Sequence, residues 1–204
     1  MRLWSASLAL VLAPALALAA GCATSAPAPH DHGSPPAPVT GPVGLSREAA
    51  IVAADGAEIG RAVLTEGPRG VLIRLNLNAG ALTPGWHGVH FHQIGTCADS
   101  GAGFTASGPH VRHLPAGVHG LLNAEGPDAG DLPSLYAPAA GAFGFEAFST
   151  FVTLAPAPVG ERMALADADG AALVIHANAD DQTTQPIGGA GPRVACAAFS
   201  ASAG

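Results

Sequence analysis

The chain has no lysine. Its eight basic residues are all arginine, set against fifteen acidic ones, for a net charge of −7. No basic stripe is present, which argues against a nucleic-acid partner. Charged residues make up only 11% of the chain and aromatic residues 5%, while glycine and proline number 27 and 18. So heavy a load of turn formers works against long helices and favours short strands joined by loops. No internal repeat and no long amphipathic segment is present.

What is present begins with a leader. Arg2 precedes an apolar run from Leu8 to Leu18, which ends in Ala19-Ala20-Gly21-Cys22. A positive start, a short apolar stretch and small residues read as an export signal over residues 1–21. Pro14 and the short span weigh against a transmembrane helix. Cys22 after Ala-Ala-Gly resembles a bacterial lipoprotein cleavage site, although Ala19 stands where leucine is more usual. The expectation is a lipid anchor on Cys22, the only membrane contact foreseen, and a place in the periplasm or cell envelope. The other reading of the leader is ordinary signal cleavage nearby or an uncleaved anchor. Cys97 and Cys196 then remain, either as a closed pair in an oxidising compartment or as two buried thiols.

Residues 22–45 are rich in Ala, Pro, Ser and Gly and read as a tether. They carry His30-Asp31-His32, either a metal-capturing pair or a polar linker. The folded domain is expected over 46–204. Val71–Asn78 alternates from Ile73 onward, Gly88–His92 alternates briefly, and Ala172–His176 is apolar and partly β-branched; Val194 lies in a further such stretch. These are strand patterns. From Thr96 to Tyr136 no period holds, and so long a loop in a compact domain is usually functional or held by a cross-link or metal. An all-β sandwich or barrel is the expected class. Phe143, Phe145, Phe148 and Phe151 are expected to serve the core or an interface.

Histidine carries the chemistry. Six of the nine histidines fall between residues 87 and 119. On a strand, His90 and His92 project to one face while Phe91 turns to the other. Paired imidazoles suit a transition metal. His176, at the end of another strand, is a third candidate ligand. His110 and His119, with Asp128 and Asp131 downstream, have the makeup of a second site suited to zinc.

Five segments carry a specific resemblance. Gly85-Trp86-His87-Gly88-Val89-His90-Phe91-His92-Gln93-Ile94-Gly95-Thr96-Cys97 is similar to the copper-binding signature of the bacterial copper/zinc superoxide dismutases. Gly108-Pro109-His110 resembles their bridging-histidine segment. Gly126-Pro127-Asp128-Ala129-Gly130-Asp131-Leu132-Pro133 resembles the end of their zinc loop. Val174-Ile175-His176-Ala177-Asn178-Ala179-Asp180-Asp181 resembles the segment of their last copper ligand, and Gly191-Pro192-Arg193-Val194-Ala195-Cys196 their closing segment. The motifs run in order from about residue 47 to 200.

The resemblance implies a Greek-key β-sandwich or flattened barrel of eight strands with a long metal-binding loop. It implies disproportionation of superoxide anion to oxygen and hydrogen peroxide by a copper centre cycling between Cu(II) and Cu(I), with a bridged zinc site. Copper would be held by His90, His92, His110 and His176, and zinc by His110, His119, Asp128 and Asp131. His110 would bridge the two metals. Arg193 would draw in the substrate, since the chain as a whole repels anions. His87 and Asp180 would support the ligands from behind, and Cys97 and Cys196 would pair. A homodimer is the further expectation. Asp128 departs from the pattern, which has histidine there; His113 is a candidate replacement ligand or else a solvated loop residue. Two other functions fit the same residues: an exported copper-binding or delivery module, and a copper-only dismutase with a degenerate zinc site. A sandwich used only for partner binding fits the ligand set poorly.

Overall fold

A computed structural model describes residues 44–113 and 117–201. The leader, Cys22 and the His30-Asp31-His32 tether lie outside the described residues. Eleven strand segments and two short 3-10 turns make up the regular structure, with no α-helix among the described residues. The strands are β1 (Ser46–Ala53), β2 (Glu58–Gly67), β3 (Gly70–Leu77), β4 (Gly85–His87), β5 (Val89–His92), β6 (Leu135–Ala137), β7 (Phe143–Ser149), β8 (Val152–Thr153), β9 (Met163–Ala164), β10 (Ala171–His176) and β11 (Arg193–Phe199).

Seven of them form one antiparallel sheet in the order β5-β10-β11-β1-β2-β3-β7. The chain thus passes from β3 to the far edge at β5, returns to β7, and crosses again to β10, a pattern of long returns between hairpin-linked strands. The sheet curls: Ile73 and Leu75 from β3 share one buried cluster with Phe91 from β5 and with Leu173 and Ile175 from β10. β4 pairs with β6, and β8 with β9 in parallel. The architecture is the all-β one expected, but short ladders subdivide the barrel into eleven segments rather than eight strands.

Alternation explains the sides of the sheet. In β3, Val71, Ile73, Leu75 and Leu77 are buried while Arg74 and Asn76 face water. β10 is buried along its whole length, because it lies between β5 and β11 and loops cover its outer face. In β7, Phe143 and Phe145 pack against the core, whereas Phe148 is exposed.

One buried acid locks the lower frame. Glu66, at the end of β2, is 1% exposed. Its carboxylate accepts from Thr153 Oγ1 at 3.1 Å, the Leu154 N–H at 2.6 Å and Arg162 Nη1 at 2.6 Å. A buried carboxylate is tolerated where each oxygen is paired in this way. Glu66→Ala would leave Arg162, itself largely covered, without its partner. The expected loss is about 3–5 kcal/mol, read as a shift in a denaturant unfolding curve with an unchanged slope.

Candidate metal centre

β5 and β10 are neighbours, with Val174 opposite His90 and Ala172 opposite His92. This pairing sets His176, at the end of β10, beside the two strand histidines. The long loop then returns to β5 through two isolated bridges, His92 with His110 and His90 with Asp131. Gly130 makes the return close: its N–H donates to Val111 and its carbonyl accepts from the Phe91 N–H at 2.8 Å. A side chain at Gly130 would collide with the Phe91 carbonyl oxygen.

Two groups of ligand atoms result. One atom each from His90, His92, His110 and His176 lie within 4.8 Å of one another, and so do atoms of His90, His110, His119 and Asp131. All six residues are buried. The rings of His90 and His110 stand 4.1 Å apart, and those of His110 and His119 5.2 Å apart.

The hydrogen bonds sort the ring nitrogens. His90 Nε2 bonds Asp180 Oδ2 at 2.6 Å, His92 Nδ1 donates to the Gly108 carbonyl at 2.7 Å, and His176 Nδ1 donates to the Gly191 carbonyl at 2.9 Å. The opposite atoms, His90 Nδ1, His92 Nε2 and His176 Nε2, are buried without a partner, as are both nitrogens of His110. A buried ring nitrogen left bare costs about 1–3 kcal/mol, unless it holds something. An N–H fixed on one side of a ring leaves a lone pair on the other, the tautomer a metal requires. These donors fit copper or another nitrogen-seeking transition ion.

The second group has different electrostatics. His119 Nδ1 is 2.9 Å from Asp131 Oδ1 and its Nε2 is 3.1 Å from Asp180 Oδ1. His110 Nδ1 lies 3.2 Å from Asp131 Oδ1 and 3.6 Å from Asp128 Oδ2. Asp128 is 1% exposed and neither carboxylate oxygen has a hydrogen bond. Asp128 therefore borders the group without closing it. Three imidazoles, of which His90 and His110 are shared with the first group, and a carboxylate oxygen fit zinc.

Burial keeps three members of the first set neutral: it pushes His90 down, His92 down to about 2, and, together with His90, His176 down to about 3. For His110, which both groups share, burial is outweighed by Asp128 and Asp131, and its pKa is raised. For His119, burial opposes the charge, but the bonds to Asp131 and Asp180 outweigh it and raise the pKa to about 10. Asp131 and Asp180 resist ionisation through burial, yet their histidine partners hold both below the usual carboxylate range.

The other expected residues are placed as follows. His87 has its ring nitrogens 2.7 and 2.8 Å from the carbonyls of His176 and Thr83, so it has none to offer a metal. His113 lies edge-on to Phe151, centroids 5.6 Å apart, outside both ligand groups. Cys97 and Cys196 are disulfide-bonded. Arg193 donates from Nη1 to the Phe104 carbonyl and Ser107 Oγ and from Nη2 to the Gly108 carbonyl. The sequence reading missed Gln185, whose side chain accepts from the His119 N–H at 3.1 Å and donates to the His119 carbonyl at 2.8 Å. No motif points to it, because the pairing spans 66 residues.

Comparisons with known proteins agree with this geometry. The family described as copper/zinc superoxide dismutase (SODC) matches residues 58–199. A superoxide dismutase [Cu-Zn] of Caulobacter vibrioides is 50% identical over 151 residues, 74% of this chain and 83% of that protein. Superoxide dismutase [Cu-Zn] 2 of Aquifex aeolicus is 40% identical, over 74% of this chain and 85% of its own length. Among solved structures, a SOD-like protein from Bacillus subtilis superposes with a TM-score of 0.67 at 30% identity, covering 75% of this chain and 97% of that one. The Cu/Zn superoxide dismutase from Brucella abortus gives 0.57 at 28% identity, covering 76% and 99%.

The protonation pattern makes the two groups distinguishable. His90, His92 and His176 need no deprotonation near neutral pH, whereas His119, at about 10, must lose a proton before it can ligate, and the raised His110 shared by both groups adds to that demand. Filling the second group at pH 7–8 is therefore expected to release at least about one proton per ion, and its affinity should climb with pH until about 10. Calorimetry of zinc binding in two buffers of different ionisation enthalpy measures the release.

Proposed function

Because the chain belongs to the copper/zinc superoxide dismutase family, it disproportionates superoxide to oxygen and hydrogen peroxide, and we propose which of its residues carry that reaction. His90, His92, His110 and His176 hold copper, and His110, His119, Asp131 and Asp128 hold zinc. The observation that carries this reading is the set of bare inward nitrogens on rings whose other nitrogens are tied down. Bound there, copper supplies one-electron exchange and zinc a fixed positive charge.

The protein's own groups handle the anion and the proton. Arg193 lines the approach to His92 and His110. Its three hydrogen bonds use three of the five guanidinium donors, and the rest remain to receive an anion. His110 belongs to both groups and neither of its nitrogens has a hydrogen bond; a nitrogen not engaged with an ion would be free to take up a proton. It is the group placed to supply a proton to the reduced substrate. Asp180 links His90 to His119 and so orients ligands of both groups.

The proposal extends to residues outside the described ones. The apolar run from Leu8 to Leu18 and the small residues before Cys22 support export, with Cys22 as a lipid anchor at the cell envelope. The Cys97–Cys196 bond agrees, since disulfides persist in oxidising compartments. Trp86 and Tyr136, 56% and 54% exposed and packed edge to face, support pairing of two copies. A copper-only dismutase is the second reading, favoured by Asp128 standing outside the close ligand group.

Metal analysis after loading with both ions decides between the two: one copper and one zinc per chain is expected, and copper alone would overturn the zinc assignment. Arg193→Ala should lower the second-order rate of superoxide consumption about tenfold at low salt and flatten its dependence on ionic strength. A rate equal to that of the wild type removes Arg193 from the mechanism.

A further inference from the structure

Two arginines, not one, border the opening beside the histidines. A cavity of about 240 Å³ is lined by His92, His110, Ile187, Arg193 and also Arg112. The two guanidiniums are held differently. Arg193 is fixed by three hydrogen bonds to the loop that precedes His110. Arg112 has a side chain 43% exposed, and its Nε stands 3.7 Å from Asp128 Oδ2. That separation exceeds a hydrogen bond, so Arg112 is attracted by Asp128 without being sequestered by it. Asp128 in turn faces His110 Nδ1 at 3.6 Å. On its other side Arg112 lines a second recess with Gln93, Asp167 and Asp169, whose carboxylates compete for the same cation.

We propose that Arg112 is a second anion-collecting residue of the active-site opening, kept on that side by Asp128. The proposal rests on the dismutase reading and adds a substrate-guiding residue to it. The charge balance makes the position matter. Past the leader, seven arginines face fifteen acidic residues, with no lysine to help. At physiological salt, charges act over about 8 Å, so remote acids count for little; at the opening the two guanidiniums are set against Asp128 and the carboxylates of the neighbouring recess. Asp128 then has two relations, as a donor to the second metal and as the attraction that holds Arg112 at the opening.

The test compares metal-loaded wild type, Arg112→Gln and Arg112→Lys, with metal content measured on each. Two quantities are read: the second-order rate with superoxide across ionic strength, and the affinity for azide, a small monoanion, followed by absorption. Arg112→Gln should slow superoxide consumption about three- to tenfold near 10 mM ionic strength, with the gap closing as salt rises. Azide affinity should fall by a comparable factor, and Arg112→Lys should recover most of both. Arg112→Gln with wild-type rate and wild-type azide affinity at low salt overturns the proposal. So does a rate loss that merely follows metal loss while azide affinity per copper is unchanged. A wild type that consumes no superoxide would instead overturn the dismutase reading, and the azide measurement would still decide the role of Arg112.

Discussion

The structure depends on a split within three imidazoles of the first ligand group, those of His90, His92 and His176: one nitrogen is bound to the frame and the other is left bare. Gly108 and Gly191 supply the backbone acceptors and Asp180 the carboxylate. None of the three belongs to the strand of the histidine it fixes. With both nitrogens of His110, five bare, buried ring nitrogens result, each unfavourable in a folded protein by about 1–3 kcal/mol. The fold tolerates them because large apolar residues such as Phe91 and Leu173 are fully buried behind the same strands. Metal binding relieves that penalty in the folded state only, so metal affinity and stability are linked.

The second group works by charge rather than by shape. Asp131 and Asp180 sit on either side of His119, and Asp131 also accepts from the Gly120 and Asp128 N–H groups at 2.7 and 3.0 Å. Those backbone donors hold Asp131 in one orientation whether or not His119 is charged. Asp180 reaches both His90 and His119, so a change of charge in one group is felt in the other. Asp128 adds a further anionic side chain where a neutral imidazole would leave the balance unaltered. Its effect on a cation in the group is attractive, and Arg112 moderates it from outside.

Much of this could be read in the sequence because the chemistry follows a short period. His90 and His92 two apart on a strand, and His176 ending an apolar one, required only the alternation of side chains. His110, His119, Asp128 and Asp131 stood out as a loop cluster, and the resemblance added roles for them, for Asp180 and for Arg193, and the pairing of Cys97 with Cys196. The strands β1, β2 and β7 gave no clear alternating signal. β7 exposes Phe148 yet half-buries Phe143 and Phe145, so its apolar pattern does not mark one face. What periodicity could not reach were the contacts made across the fold by irregular backbone. The Gln185 clamp on His119 and the carbonyls that hold His92 and His176 belong to loops, where spacing in sequence carries no geometric information. His113 shows the converse: it has the right residue type in the right loop, yet its ring rests on Phe151.

The placement of Arg193 joins the covalent and the electrostatic parts of the design. Arg193 opens β11, and Cys196 lies three residues along the same strand. The disulfide to Cys97 ties that strand to the start of the loop. Within the loop, Asp99 Oδ2 accepts from Thr105 Oγ1 and the Ala106 N–H at 2.9 Å, which shapes the turn over Thr105–Ser107. Phe104, fully buried, adopts a left-handed backbone with φ of 56°, and its carbonyl thereby meets the guanidinium. The loop that carries Gly108, and through it His92 Nδ1, is the loop that orients Arg193. His92 and Arg193 therefore share one anchored segment. Any displacement of that segment would shift the guanidinium and the His92 ring together, so their relative position is preserved. That matters because a guanidinium acts on an anion only over the short range that salt permits. In a chain whose overall charge repels its substrate, attraction has to be created at the opening, and the cross-linked loop is what holds it there.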